Sequence, residues 1–461
     1  MRQHDLIVIG AGSGNMIIDS FPDLDVAVVE QGPFGGTCLN VGCIPTKMLA
    51  HTAAVAEAVR GAAAFGLDAH LGGPDWPSVR DRIFGRLDAN SADGRAGRVD
   101  DPGVTVYTGH ARFSGVRTLQ VERADGSGTD TIGADRIVIA AGGRPVVPEP
   151  VRSSGVPFET SDTVMRIPAL PRRLAILGGG YIAAEFAHVF SALGCEIIMI
   201  DMANQLLAGQ DETVSERFTE LARKRFDVRL GRQLAAARRG TDEQGADGLR
   251  LDLDDGSRVD ADMLLVAVGR VPNGDRMDLA AAGVEQHEDG RIVVDAHQRT
   301  TADGVYALGD VSTTVPLKHV ANREAEVVTH NLLHPDDLVE TDLGVVPAAI
   351  FTDPQIAAVG RTEQDCRDDG VDHVVSTTPY SDTAYGWAME DPAGFCKIIA
   401  ERGTHRLLGA HIMGPQAATL IQPLVLAMSC GIDAETMART PFWIHPALTE
   451  VVENTLLGLL D

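Results

Sequence analysis

Residues 5–15 read DLIVIGAGSGN. A short apolar run ends at Ile9, and Gly10, Gly12, Ser13 and Gly14 follow. A strand, a glycine turn and the start of a helix place backbone N–H groups around a pyrophosphate. The run VAVVE ends in Glu30, 20 residues beyond Gly10, where an acid accepts ribose hydroxyls. Asn15 stands in place of the third glycine, and the helical stretch after it is short. One such loop is weak ground, but residues 173–201 repeat it as RLAILGGGYIAAEFAHVFSALGCEIIMID. Gly178 and Gly180 make the second turn, Ala183 takes the third place, and Asp201 ends the next strand 23 residues after Gly178. Turns at 10 and 178, 168 residues apart, predict two Rossmann-like dinucleotide-binding domains in one α/β chain.

Working outward, 461 residues suit about three domains, and 44% apolar content supplies their cores. MLLVAVGRVPN carries Gly269 and Arg270, and GVYALGDV carries Gly309 and Asp310. Each is an apolar strand ending in glycine. Asp310 is placed to accept a sugar hydroxyl, although an ordinary strand-end turn reads the same way. Beyond residue 345 the texture changes to antiparallel strands (AAIFTDPQIAAVG, GFCKIIAE, LLGAHIMG), a helical run from Gln416 to Met437 and a closing helix from His445. That is an α+β third domain. A net charge of −26 argues against nucleic acid or an anionic membrane as partner. No apolar run approaches the roughly 18 residues of a membrane span. LIVIG is too short for a signal-peptide core, so the expected location is the cytoplasm.

Residues 35–47, GGTCLNVGCIPTK, place Cys38 and Cys43 five positions apart. The other four of the six cysteines, Cys195, Cys366, Cys396 and Cys430, stand singly. A zinc site wants C-x2-C pairs or clustered histidines, and no metal is expected. A bridge needs Cα atoms roughly 4.4–6.8 Å apart. Five residues of ideal helix rise about 7.5 Å, so a regular helix could not close it. Gly42 and Pro45 are where the backbone departs from regularity, and a long helix is expected after Pro45. Cys43 then sits near a helix N-terminus, which favours a thiolate. At this point a structural bridge, half of a metal site and a redox-active disulfide are all open.

The C-x4-C segment, the two fingerprints, ALGDV and IHPALTEVVE occur in the order seen in the flavoprotein disulfide reductases. The chain resembles that family (class I pyridine nucleotide-disulfide oxidoreductases) over essentially its whole length. The resemblance implies an FAD-binding domain over 1–150 that resumes over 271–344, an NAD(P)H domain over 151–270 and a dimerisation domain over 345–461. It implies a redox-active Cys38–Cys43 disulfide, with Cys43 facing the flavin and Cys38 attacking the substrate. By the same resemblance Tyr181 is expected to gate the nicotinamide pocket, and Lys47 to pair with Glu185 beside the flavin. The resemblance also implies that His445, oriented by Glu450, is the base that reaches across a homodimer to the partner's cysteines. Gly36, Thr37, Ala111, Ala141, Gly142 and Ile182 join the residues already named as cofactor contacts. A lone histidine or an isolated Lys or Glu would otherwise pass as ordinary surface or core.

Several stretches, among them GSGN, EFAHVFSALG, AYGWAMED and WIHPALTEVVENTLLGL, resemble the branch that reduces mycothione, the disulfide of a sugar-bearing thiol. That small-molecule substrate is the expectation, with dihydrolipoamide dehydrogenase the alternative. Trp443, beside His445, is a sugar-stacking surface or, more simply, interface packing. The branch is expected to use NADPH, yet the residues after the second strand are Asp201, Met202, Ala203 and Asn204. No arginine is there to meet a 2′-phosphate. A carboxylate facing that phosphate costs on the order of 4 kcal/mol at an effective dielectric near 20, so NADH is expected to serve well.

Overall fold

The computed structural model describes residues 1–241 and 247–460. Strand Arg2–Ile9 lies centrally in the first sheet, parallel to Val26–Glu30 on one side and Thr129–Ile139 on the other. Val305–Ala307 returns from far along the chain to pair with Thr129–Ile139. Val104–Gly115 pairs parallel to Val26–Glu30, and Thr118–Arg123 lies antiparallel between it and Thr129–Ile139. Leu6 to Val8 are wholly buried on both faces, as a parallel strand between layers must be.

The second sheet is parallel throughout, in the order Asp227–Leu230, Glu196–Asp201, Arg173–Leu177, Met263–Val266 and Glu159–Thr160. Gly10 and Gly178 occupy equivalent places in the two units. Their N–H groups donate to Val29 and Ile200, each at 2.8 Å. Their φ values are +103° and +125°. A Cβ on either would lie 2.3 Å from a carbonyl oxygen, of Ala140 or Ala267 respectively. Only glycine permits both the conformation and the approach.

The third domain is a five-stranded antiparallel sheet backed by helices. Its edge strand His373–Pro379 escapes sequence reading because none of its residues is fully buried and its apolar pattern is weak. The expected helix over 416–437 is three pieces, Ala417–Leu420, Gln422–Ser429 and Ala434–Arg439. Pro423 sits in the first turn of the second, and Gly431, at φ +66°, separates it from the third, which Asp433 caps. The closing helix is Glu450–Leu457 and excludes His445. Residues 445–449 run as turns ahead of it, so the chain enters the helix five residues later than expected.

A buried ion cluster joins the second and third domains. Lys397 Nζ donates to Asp211 at 2.8 Å, Thr213 at 3.0 Å and Glu363 at 2.6 Å. Burial opposes charge on Asp211, yet the Lys397 ammonium and the Glu363 N–H hold its carboxyl below the usual range. Lys397→Met would leave two carboxylates facing each other without the cation. We expect a loss of about 3–5 kcal/mol, read as a lower urea midpoint of the holoprotein; an unchanged midpoint would show that the cluster does not hold the domains.

Candidate active site

Cys38 lies in a one-turn helix, Gly36–Asn40, and Cys43 opens the long helix Cys43–Gly61. That helix starts two residues before Pro45, because a proline in the first turn lacks only an N–H that would be unpaired anyway. Gly42 makes the break between the helices; a Cβ there would meet the Thr37 carbonyl oxygen at 2.9 Å. Asn40 holds the first helix by donating to the Phe34 and Gly36 carbonyls. This break brings the two sulfurs together where continuous helix would part them. Both are free thiols, and that of Cys38 donates to the Cys43 sulfur. The hydrogen bond from Cys38 and then the Lys47 charge, against burial, bring the Cys43 pKa down to about 6. The same bond and burial raise that of Cys38. One proton is thus shared unequally, with negative charge on Cys43.

Lys47 follows one helical turn after Cys43. Its ammonium reaches both oxygens of buried Glu185 at 2.6 Å and lies 4.6 Å from the Phe351 ring centroid. The Phe351 N–H also donates to Glu185, at 2.9 Å. The pair meets because helix Tyr181–Ala192 packs on Cys43–Gly61: Phe186 and Phe190 on one, Leu49 and Ala53 on the other, all in one core. Phe186 and Phe190 are one turn apart, so they share the face turned to that core.

The first glycine loop rests against the cysteine segment, since a Cβ on Gly36 would lie 2.8 Å from Gly12 Cα. Glu30 accepts the Ala11 N–H at 2.8 Å and the Gly32 N–H at 2.7 Å. A carboxylate has about four acceptor positions, so others remain for ribose hydroxyls. Bare backbone beside a free acceptor fits a dinucleotide. The helix after this loop, Asn15–Ile18, is one turn and carries little dipole. Positive charge comes instead from Lys318, whose ammonium donates to Ser13 Oγ at 2.7 Å; Ser13 in turn donates to Asn322 at 3.1 Å. Buried Glu324 accepts the Gly309 N–H at 2.6 Å and fixes the turn that carries Asp310, whose own pKa burial raises.

The remaining predicted positions divide. Ala141 and Gly142 accept from Asn273, and Gly269 accepts the Val146 N–H. Arg270 binds the Gly143 carbonyl at 2.6 Å and Asp162 at 3.2 Å. Gly180 caps helix Tyr181–Ala192, on which Tyr181 is exposed and Ile182 half-buried. Ala111 has its side chain in the core, leaving only backbone to meet a ligand. The Thr37 carbonyl accepts the Val41 N–H. His445 is exposed, and its Nδ1 lies 2.6 Å from Glu450. Among the described residues its ring bonds no other side chain. Trp443 donates to the Ala438 carbonyl at 3.1 Å and packs against the third domain's own core.

A family profile for pyridine nucleotide-disulphide oxidoreductases matches residues 4–325, and the profile of their dimerisation domain matches residues 346–456. The chain belongs to the pyridine nucleotide-disulphide oxidoreductases. This oxidoreductase is similar to the mycothione reductase of Mycobacterium tuberculosis, 51% identical over 466 residues covering 100% of both chains. It is 33% identical to the dihydrolipoyl dehydrogenase of Haloferax volcanii, over 98% of this chain and 96% of the relative. The HOCl-induced flavoprotein disulfide reductase RclA from Escherichia coli matches in fold with TM-score 0.87, at 26% identity and 100% coverage of both chains. The oxidoreductase is therefore an FAD-dependent, NAD(P)H-linked disulfide reductase with the family's dimerisation domain. No helix among the described residues is long and apolar enough to cross a membrane.

Sequence reading passes over Lys318, Asn322, Glu324 and Phe351. One signal points to part of this set: the chain has four lysines, and two of them, Lys47 and Lys318, act electrostatically on the cysteine pair.

Proposed function

We propose that the oxidoreductase reduces mycothione to mycothiol with Cys38, Cys43 and His445 as its reacting groups. The supporting observation is the full-length 51% identity to a mycothione reductase, against 33% to a dihydrolipoyl dehydrogenase. FAD, when bound, supplies the two-electron relay from nicotinamide to the disulfide. Two electrons open the Cys38–Cys43 bond; Cys43 keeps the negative charge beside Lys47, and Cys38 takes the proton. His445 takes that proton, the Cys38 sulfur attacks the substrate disulfide, and His445 returns the proton to the thiolate that leaves. The Cys43 sulfur then attacks Cys38 and restores the bridge, releasing the second thiolate, which takes its proton from solvent. Glu450, 2.6 Å from Nδ1, fixes the ring so that Nε2 exchanges the proton.

His445 serves the partner's cysteines in this reading. Its ring is exposed, and Phe442 and Ile444 beside it leave apolar surface of the kind a second subunit covers. NADH is the better-suited reductant. Asp201 closes the second strand with a carboxylate, and residues 202–204 bring no cation. Anaerobic assays of mycothione and lipoamide, each with NADH and NADPH, test the substrate and the reductant. Rapid mycothione turnover, little lipoamide turnover and catalytic efficiency with NADH above that with NADPH are expected. Efficient lipoamide turnover with inert mycothione would overturn the substrate, and equal or better efficiency with NADPH would overturn the Asp201 argument.

A further inference from the structure

The second glycine loop approaches Asp201 closely: a Cβ on Gly179 would lie 3.0 Å from the Asp201 carboxyl carbon. One carboxylate oxygen accepts the Ala203 N–H at 2.7 Å. The neighbouring strand, Asp227–Leu230, runs parallel to the one that Asp201 ends, and it brings a cation that sequence proximity hides. Gly231, at φ +64°, turns the chain so that its N–H donates to Ala203 at 2.9 Å, and the N–H of Arg232 donates to the Asp201 carbonyl at 3.0 Å. The Arg232 backbone is thereby fixed beside Asp201.

Its side chain is held elsewhere. Nε lies 2.6 Å from Asp255, and Nη1 donates to the Gly231 carbonyl at 2.9 Å. Asp255 belongs to the turn between strands Asp247–Leu253 and Arg258–Ala261, and it accepts the Ser257 N–H at 2.9 Å. That turn is stapled to the chain just after Arg232: the Asp254 N–H donates to the Gln233 carbonyl at 3.0 Å and the Gln233 N–H to the Asp254 carboxylate at 3.2 Å. The pair itself is 42% and 33% exposed, so water screens it and it opens at little cost.

We propose that Arg232 is the residue that meets a 2′-phosphate in this oxidoreductase, and that Asp255 is a positioning residue that holds it back. The proposal rests on the reading that Asp201 faces the adenosine ribose. With Arg232 on Asp255, a 2′-phosphorylated dinucleotide finds Asp201 and no counter-charge; with Arg232 released, a guanidinium reaches the phosphate by charge-assisted hydrogen bonds.

The test is calorimetric binding of 5′-AMP and 2′,5′-ADP to the FAD-loaded protein, comparing wild type, Asp255→Ala and Asp255→Ala/Arg232→Ala. Asp255→Ala is expected to bind 2′,5′-ADP about tenfold more tightly with 5′-AMP unchanged, and the added Arg232→Ala change is expected to abolish that gain. Unchanged 2′,5′-ADP binding in Asp255→Ala would overturn the proposal. So would a gain that survives in the double variant, since removing a negative charge would then account for it alone. The wild-type ratio of the two ligands judges the Asp201 reading separately, and 5′-AMP binding shows that each variant is folded.

Discussion

Cys38→Ala oxidoreductase is expected to retain FAD and to lose disulfide reduction by at least on the order of 10³-fold. Neither glycine loop depends on the Cys38 side chain, so the cofactor-binding framework is untouched. What disappears is the sulfur that forms the mixed disulfide; Cys43 alone cannot both attack the substrate and resolve the product. A second readout separates this role from simple damage. The bond from Cys38 is the largest influence lowering the Cys43 pKa to about 6. Without it, thiolate absorbance of the remaining Cys43 should titrate at higher pH than in the reduced native enzyme. The sign is direct: a lowered pKa means the thiolate persists down to about pH 6, and losing the donor moves its protonation upward. Near-native turnover would remove Cys38 from the mechanism, and an unmoved titration would remove it as the donor to Cys43.

His445→Gln is expected to lower turnover by about 10²–10⁴-fold, the usual worth of a positioned acid–base group. Glutamine keeps a hydrogen-bonding amide near Glu450 but carries no transferable proton. The decisive form of the experiment uses mixed dimers. One subunit carries Cys38→Ala with His445 intact, and the other carries His445→Gln with its cysteines intact. If each site draws its histidine from the partner, one site of every mixed dimer is complete, and about half of native activity returns. If each subunit were self-sufficient, both sites would be defective and the mixture would stay inactive. An inactive mixture would therefore sink the shared-site reading, whereas native turnover by the single His445→Gln variant would sink the histidine's role altogether.

Features carried by neighbouring residues are legible in the sequence. The two glycine turns are matched in φ and in the carbonyl each approaches, as the repeated fingerprint predicts. The third domain is antiparallel, as its strand texture predicts. Element ends are less legible. The closing helix starts at Glu450 and not at His445, since residues 445–449 form turns ahead of it. Strand His373–Pro379 leaves no clear pattern because an edge strand need not alternate cleanly.

Taken by itself, then, the sequence determined two dinucleotide turns, a cysteine pair broken out of regular helix by Gly42, and a histidine with a carboxylate five residues on. In each case the physical cause is backbone conformation or chemistry within a few residues. Tertiary structure decided how the charges around them meet, including the Lys47–Glu185 pair that the family resemblance implied. Lys47 meets Glu185 across 138 residues because two helices pack through Phe186, Phe190, Leu49 and Ala53. Lys318 reaches Ser13 across 305 residues because strand Val305–Ala307 returns to the first sheet. Arg232 stands beside Asp201 because parallel strands align their ends however far apart they lie in the chain. Electrostatic partners act through distance in space, and only the packing of the layers sets that distance.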